Sequence, residues 1–213
     1  LGGVALEWER RCVGRWGLRL GAGFDYATTP ETGDKPSRDA QTAPALSARF
    51  TREFDEMGET YVQIARRSRF PSLRELYSGA LGRFEPNLDL RPEDQTSAEL
   101  GGSLHGRRWA LSAAVFGYLT EDGIVRISLP DRRYQRVNQD EIRVLGVEAM
   151  AVWRPRPGLK LEGHHSFLHA RARDEGGDFD QRVEDRPAFL SRIDLSQRFR
   201  SGFRPVSYTH LRA

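Results

Sequence analysis

Strict alternation of apolar and polar residues over positions 16–26 is the feature that most restricts the fold of this chain. The apolar set is aromatic at both ends and aliphatic or small between them: Trp16, Leu18, Leu20, Ala22, Phe24 and Tyr26. Arginine, aspartate and glycine fill the alternate positions. Because successive side chains of a β-strand point to opposite faces, this segment predicts a strand with one apolar and one polar face. Aromatic residues at both margins of the apolar band are typical of strands that cross a membrane in a barrel.

The same alternation recurs along the chain and predicts about ten strands. Their cores lie at residues 4–8, 16–26, 46–51, 61–67, 97–105, 109–127, 145–153, 159–167 and 189–199, with a last strand opening after Gly202. Brief turns alternate with extended polar connections such as 27–42, 69–96 and 173–187. A meander with brief turns at one rim and long loops at the other is the layout of an outer-membrane barrel, whereas a Greek-key sandwich scatters its loop lengths. We therefore predict an all-β fold, a transmembrane antiparallel up-and-down β-barrel.

Composition excludes a helical membrane protein and argues against a nucleic-acid-binding protein. Mean hydropathy is −0.62, and the longest uncharged run, residues 109–120, is well short of the roughly 18 apolar residues of a spanning helix. A barrel tolerates low hydropathy because only alternate residues meet lipid. The 33 basic and 30 acidic residues are spread along the chain, which argues against nucleic acid as a partner. Cys12 is the single cysteine and cannot form an internal disulfide.

The predicted inner faces carry small residues and charge. Glycines accompany Arg19 and Asp25 on one strand, and Ser97, Gly101 and Ser103 accompany Glu99 on another. Small barrels fill their interior with side chains, whereas wide barrels hold a lumen or a plug. We therefore expect a slice of a wider barrel over residues 1–204. Residues 205–213 break the strand pattern, and we expect them to be a non-native tail.

Four short motifs resemble those of TonB-dependent outer-membrane receptors, in the same order along the chain. The first two comprise Phe70, Pro71, Ser72, Leu73, Glu75, Leu76 and Tyr77, then Pro86, Asn87, Leu88, Pro92, Glu93, Glu99 and Gly101. The last two comprise Asp122 and Ile124, then Asn138, Arg143, Gly146 and Glu148. The resemblance covers roughly residues 40–200.

This resemblance implies a 22-stranded barrel, of which about ten strands are present, in the outer membrane of a Gram-negative type of cell. Such receptors take up a scarce solute, for example a siderophore or other iron chelate, cobalamin or another metal complex. They are plugged by an N-terminal domain and energised by the TonB complex, which contacts a short segment called the TonB box. The resemblance therefore implies outer-membrane lipid, a small-molecule ligand and TonB as partners. We expect the plug and the TonB box to lie outside this fragment.

Other functions stay open at this point. A passive porin-like channel is the main alternative, and a soluble β-sandwich adhesin is a further one. We expect no enzyme, because Glu93 and Glu99 are separated by most of a strand and no nucleophile has a base beside it. We also expect no cofactor and no metal site, since adjacent His164 and His165 face opposite ways. His165 and His169 share a face but lie roughly 13 Å apart.

The candidate ligand-binding residues crowd one external tip: Arg126, Arg132, Arg133, Tyr134 and Arg136. Guanidinium groups suit carboxylate and phosphate, so these residues could bind an anionic ligand such as a ferric chelate. Alternatively, they pair with Asp131, Asp140 and Glu141, or bind anionic surface lipid. In the preceding long connection, near-helical spacing of Leu73, Leu76 and Tyr77 predicts a helical turn that packs the loop over the barrel rim.

Overall fold

The computed structural model describes residues 1–12, 14–31, 36–79, 82–173, 181–182, 188–199, 202–203 and 205–212. These residues form a 12-stranded sheet and one short helix. The strands up to the middle of the chain are β1 (Gly2–Cys12), β2 (Trp16–Thr29), β3 (Arg38–Phe54), β4 (Gly58–Arg69), β5 (Phe84–Glu85) and β6 (Glu93–His105). The later strands are β7 (Trp109–Ser128), β8 (Tyr134–Trp153), β9 (Leu159–Ala172), β10 (Gln181–Arg182), β11 (Phe189–Gln197) and β12 (Val206–Arg212). Helix α1 (Leu73–Tyr77) lies between β4 and β5.

Ten long strands pair antiparallel with their neighbours in the order β1-β2-β3-β4-β6-β7-β8-β9-β11-β12. The two-residue strands β5 and β10 lie off this path and pair with β8 and β9. Within the described residues β1 and β12 are the free edges, so the sheet is unclosed. The predicted all-β, up-and-down wall of about ten strands is confirmed, and it is part of a barrel. No helix in the described segments is long and apolar enough to cross a membrane.

Cross-strand register sorts the side chains into two faces. One row of direct partners runs Val62, Leu100, Val115, Val147 and Phe167 across five strands. All five side chains are exposed. Their alternate neighbours, such as Glu99 and Glu148, belong to the opposite face. A continuous exposed apolar face backed by a polar face is the arrangement of a wall with lipid outside and a lumen inside, and we call the two faces outer and inner.

Two glycines of the inner face are covered by aromatic rings from the neighbouring strand. Gly101 is the direct partner of Tyr61, and a Cβ at Gly101 would lie 2.5 Å from the Tyr61 hydroxyl. Gly146 is the partner of Phe116, whose ring carbon would lie 2.4 Å from such a Cβ. The missing side chain at Gly101 therefore leaves room for the Tyr61 ring to lie flat on the wall.

The long polar connection predicted over residues 27–42 is shorter than expected. Strand β2 continues to Thr29 and β3 begins at Arg38, with Tyr26 opposite Thr42 and Ala27 opposite Gln41. Backbone pairing continues here beyond the apolar band, where the side chains no longer report it. The predicted loop at 173–187 lies almost wholly outside the described residues.

The chain after residue 205 also forms a strand. Val206–Arg212 pairs with β11, from Ser196 opposite Val206 to Leu190 opposite Arg212. Pairing of the backbone does not depend on where a segment comes from, so a non-native origin for residues 205–213 stays a prediction.

We predict that Gly101→Ala destabilises the barrel by about 1–3 kcal/mol, because the new methyl group must displace the Tyr61 ring. The measurement is the free energy of unfolding in urea, with the complete gene product folded in lipid vesicles. Gly163→Ala is the matched control, since a Cβ at Gly163 would meet no atom within 4 Å. Equal stability of the two variants would contradict the account of Gly101.

Candidate ligand-binding surface at the loop end

A segment that we call the strap, residues 70–92, leaves the sheet after β4 and returns at β6. Its two ends meet because Arg69 and Glu93 are direct cross-strand partners. The Arg69 guanidinium donates from Nε to Glu93 Oε1 at 2.7 Å and from Nη1 to Glu75 Oε2 at 2.9 Å. One arginine therefore joins the base of the strap to the helix within it.

Helix α1 starts the strap with a capping box. The Glu75 amide donates to Ser72 Oγ at 3.3 Å, and the Ser72 amide donates to Glu75 Oε2 at 2.8 Å. These bonds satisfy amide groups that the first turn of a helix leaves unpaired. Leu76 is buried beneath the turn, and Tyr77 donates its hydroxyl to the Pro36 carbonyl at 2.8 Å. The predicted helical turn at the rim is confirmed.

Electrostatics favours the ionised form of Glu75. Burial by itself raises the pKa of this carboxyl, but hydrogen bonds from Arg69 and Ser72 outweigh burial. The pKa of Glu75 is therefore lowered from its ordinary value, and its charge supports the start of the strap.

Asn138 fastens the end of the strap to the long β7–β8 hairpin. Its Oδ1 accepts from the Arg91 amide at 2.8 Å, while Nδ2 donates to the Arg91 carbonyl at 3.1 Å and to the Asp122 carbonyl at 2.6 Å. The Arg91 side chain also forms an ion pair with Asp122. Glu93 accepts from the Ile124 amide at 3.0 Å. The motif residues Asp122, Ile124, Asn138 and Glu93, far apart in sequence, thus meet at one joint.

The middle of the strap reaches the far edge of β8. Residues Phe84 and Glu85 pair in parallel with Tyr134 and Gln135, beyond the position where Ala172 ends the pairing of β9 with β8. Asn87 donates to the Arg136 carbonyl at 2.8 Å. Strand β5 therefore pairs with the part of the β8 edge that extends beyond the end of β9. The strap thus crosses from β4 to β8 before it returns to the sheet at β6.

The structure places the five predicted tip residues in different surroundings. Arg126 and Arg136 are direct cross-strand partners. The Arg126 guanidinium lies 4.8 Å from the Tyr134 ring centre, and that of Arg136 lies 4.9 Å from the Phe84 ring centre. The two rings are 5.7 Å apart. Two arginines therefore flank a pair of aromatic rings, and cation–π contacts position the two guanidinium groups.

Arg133 is already committed to carboxylates. It forms ion pairs with Asp131 and with Glu85 of the strap. Hydrogen bonds to Arg133 hold the pKa of Asp131 below its usual value. Arg132 sits in the turn with a φ of 67° and an exposed side chain. Sequence reasoning anticipated Asp131 as a partner but missed Phe84 and Glu85, because nothing local shows that β5 reaches β8.

Glu141, another expected acidic partner, does not serve the tip. Glu141 forms ion pairs with Arg173 and with Arg143, both outside the tip. The side chain of Asp140 lies outside the described part of the chain. The role of the tip arginines in binding a ligand stays a prediction.

The motif residues Glu99 and Glu148 line the inner face of the wall. Glu99 accepts a hydrogen bond from the Tyr61 hydroxyl at 2.5 Å, and the Arg49 guanidinium lies 3.5 Å from the Tyr61 ring centre. Glu148 is exposed on the inner face between its partners Ala114 and Ser166. An inner-face cavity of 650 Å³ includes Glu59, Tyr61, Glu148, His164 and Arg192 in its lining. This wall offers a polar, charged surface to whatever occupies the lumen.

His164 and His165 lie on opposite faces of β9. His165 lies on the outer face and is 2.8 Å from Ser191 Oγ through Nδ1, whereas His164 is 3.5 Å from Glu162 on the inner face. Within the described residues no group of three or more His, Cys, Asp or Glu side chains is placed to hold a metal ion.

The family model for the β-barrel of TonB-dependent receptor-like proteins matches residues 2–210. The chain belongs to this family. The match runs from the start of β1 into β12 and includes all four motifs, so the joint of the strap and hairpin lies inside the family domain. A comparison with curated protein sequences finds no significant match.

Three solved structures of similar fold are each much longer than this chain. The copper transporter OprC is 19% identical with a TM-score of 0.75, over 93% of this chain and 32% of that one. The FrpB iron transporter from Neisseria meningitidis, in its apoprotein form, is 17% identical with a TM-score of 0.71, over 93% and 31%. The ferric yersiniabactin uptake receptor FyuA from Yersinia pestis is 18% identical with a TM-score of 0.70, over 99% and 33%. This TonB-dependent receptor barrel chain thus spans about a third of each.

We predict that Asn138→Ala loosens the strap, because three hydrogen bonds to Arg91 and Asp122 are lost. Hydrogen exchange of strap peptides, followed by mass spectrometry on the complete receptor, should speed up by at least about tenfold, if each bond contributes about 1 kcal/mol. Ser128→Ala, on the same hairpin, is the control and should leave exchange unchanged. Unaltered protection in Asn138→Ala would show that the joint is held elsewhere.

We predict that the strap loses protection at acid pH through Glu75. A carboxyl whose folded pKa is lowered contributes its full stability above its unfolded pKa of about 4.3 and loses it as pH falls through the folded value. Exchange of strap amides, corrected for intrinsic rates, should therefore accelerate below about pH 4.3. Glu75→Gln should already be faster at neutral pH and lose this pH dependence. The same pH profile in both proteins would exclude Glu75 as the cause.

Proposed function

We propose that this chain forms wall and loops of an outer-membrane receptor that imports a scarce solute by TonB-linked transport, and that it is not an enzyme. The observation that carries the proposal is the family match over residues 2–210. Similar folds in a copper transporter, an iron transporter and a ferric siderophore uptake receptor support it. In this proposal a plug domain and its TonB-contacting segment belong to the complete protein.

The ligand that we propose is an anionic metal complex, such as a ferric chelate. Support comes from the tip, where Arg126 and Arg136 are held opposite each other and each lies over an aromatic ring. Arg133 is largely compensated by Asp131 and Glu85, whereas Arg132 and Arg136 add positive charge to the tip. Ordered guanidinium groups recognise carboxylate and phenolate oxygens well because little side-chain freedom is lost on binding.

The inner wall suits a solute that moves from this tip into the lumen. Polar side chains of Arg49, Gln63 and Glu99 line the inner face, and polar lumen residues set selectivity in barrels of this kind. The strap connects the tip to the wall. In this proposal, loss of the Asn138 hydrogen bonds that fasten it would alter access to the lumen.

Energy dependence tests the transport proposal against a passive channel. Cells that carry the complete gene as their sole receptor of this kind would be given radiolabelled ferric citrate, a ferric tris-catecholate and cyanocobalamin. Accumulation of at least one compound should require both TonB and the proton-motive force. If accumulation of every transported compound persists after TonB deletion and protonophore treatment, the result favours a passive channel and overturns the proposal.

We predict that R126Q/R136Q weakens binding of the transported ferric chelate by at least about tenfold, since each charge-assisted bond contributes about 1.5–3 kcal/mol. The measurement is equilibrium binding of the labelled chelate to whole cells. R10Q/R11Q removes the same charge from exposed positions on β1 and should bind like wild type. Equal binding by both variants would remove the tip from the proposed site.

A further inference from the structure

Three turns at the rim opposite the strap form one continuous surface. The β6–β7 turn (105–109), the β8–β9 turn (153–159) and the segment after β11 (197–199) are linked through their backbones. The Arg154 amide donates to the Arg108 carbonyl at 2.7 Å, and the Arg198 amide donates to the Gly158 carbonyl at 2.7 Å. We call this surface the turn rim.

The turn rim is basic without acidic compensation. Its arginines are all exposed: Arg107, Arg108, Arg154, Arg156 and Arg198. The three segments contain no aspartate or glutamate. Arg108 donates to the Pro155 carbonyl at 3.0 Å, and within the described residues none of the five side chains forms an ion pair. The neighbouring β3–β4 turn differs, because there Asp55 pairs with Arg15.

Aromatic side chains border these arginines on the outer face. Trp109 and Trp153 are direct cross-strand partners at the edge of the apolar band nearest the turn rim, and both are exposed. Phe199 and Phe203 stack with ring centres 6.2 Å apart and are exposed as well. Tryptophan beside arginine at the margin of an apolar band is typical of the level at which lipid headgroups lie.

We propose that the turn rim binds the headgroups of anionic phospholipids in the membrane leaflet next to it. The proposal rests on the proposed function for the placement of this rim at a membrane surface. The tryptophan pair would contact the upper acyl chains and glycerol, while Arg107, Arg154 and Arg156 would bind the phosphate. A lipid presents both chemistries in the required order, apolar chain and then phosphate.

A protein partner fits these observations less well. An acidic protein would contact the arginines but would leave exposed the apolar ring surface of Trp109 and Trp153, which continues into the outer face. Each arginine near an anionic membrane surface adds about 1 kcal/mol of attraction, or about a fivefold gain in binding. Several uncompensated arginines at one level can therefore retain anionic lipid selectively.

Native mass spectrometry of the complete, detergent-solubilised gene product tests the proposal. The probes are dioleoylphosphatidylglycerol, which is anionic, and dioleoylphosphatidylethanolamine, which is zwitterionic. Wild type should bind the anionic lipid more tightly. R154Q/R156Q should lose at least about tenfold in affinity for it and little for the zwitterionic lipid. R74Q/R83Q removes two exposed arginines of the strap itself and should bind both lipids like wild type.

The result that overturns the proposal is equal affinity for the two lipids, or an equal loss in R154Q/R156Q and R74Q/R83Q. Heat-modified electrophoretic mobility shows whether each variant is a folded barrel, and R107Q/R156Q replaces R154Q/R156Q if the latter does not fold. Uptake of the transported chelate is measured in parallel. Loss of lipid selectivity with intact uptake supports the lipid site, whereas absence of uptake in wild type counts against the proposed function alone.

Discussion

The backbone hydrogen-bond ladder is the constraint on which the rest of this structure depends. In a bilayer every amide and carbonyl group needs a partner within the protein, so strands must pair without interruption. Between the free edges at β1 and β12, ten long strands pair with their neighbours in this way. Since register fixes the face of every side chain, the same ladder produces the apolar outer row through Val115 and the polar inner wall around Glu99. Small changes of side chain are then tolerated only where the neighbouring strand leaves space, as the ring of Tyr61 over Gly101 illustrates.

Where the chain leaves the ladder, side chains take over its role. The strap runs outside the regular sheet for more than twenty residues, and its backbone groups must still be satisfied. Ser72 and Glu75 satisfy the start of α1, and Asn138 provides an acceptor and a donor for Arg91 as a paired strand would. These are motif residues, and their chemistry is structural in this chain. They hold the strap in a defined place, so that Phe84 contacts Arg136 at the tip.

Sequence patterns predicted the strands, the long connection between β4 and β6, and the helical turn, because each depends on local periodicity or on capping groups a few residues apart. They did not predict the shortened 27–42 connection, since pairing beyond the apolar band leaves no hydrophobic period. They also missed Phe84 and Glu85 at the tip. That contact depends on β5 crossing to β8, a separation of about fifty residues along the chain. The four tip arginines look alike in sequence, yet carboxylates compensate Arg133 while rings support Arg126 and Arg136.

In the two proposed sites, arginine serves different purposes at the two ends of this wall. At the strap end, guanidinium groups are held by rings or carboxylates, so their directions are defined before anything binds. Guanidinium groups that are held in place before binding lose less side-chain freedom when a ligand binds, which favours recognition of a ligand of particular shape. At the turn rim, Arg107, Arg154 and Arg156 lack carboxylate partners within the described residues, and in the proposed lipid site headgroup phosphates would supply them. A fluid layer of headgroups offers no fixed shape to match, so this site needs no preset direction of the arginine side chains. The same residue type thus suits a selective surface at one rim and an adaptable one at the other.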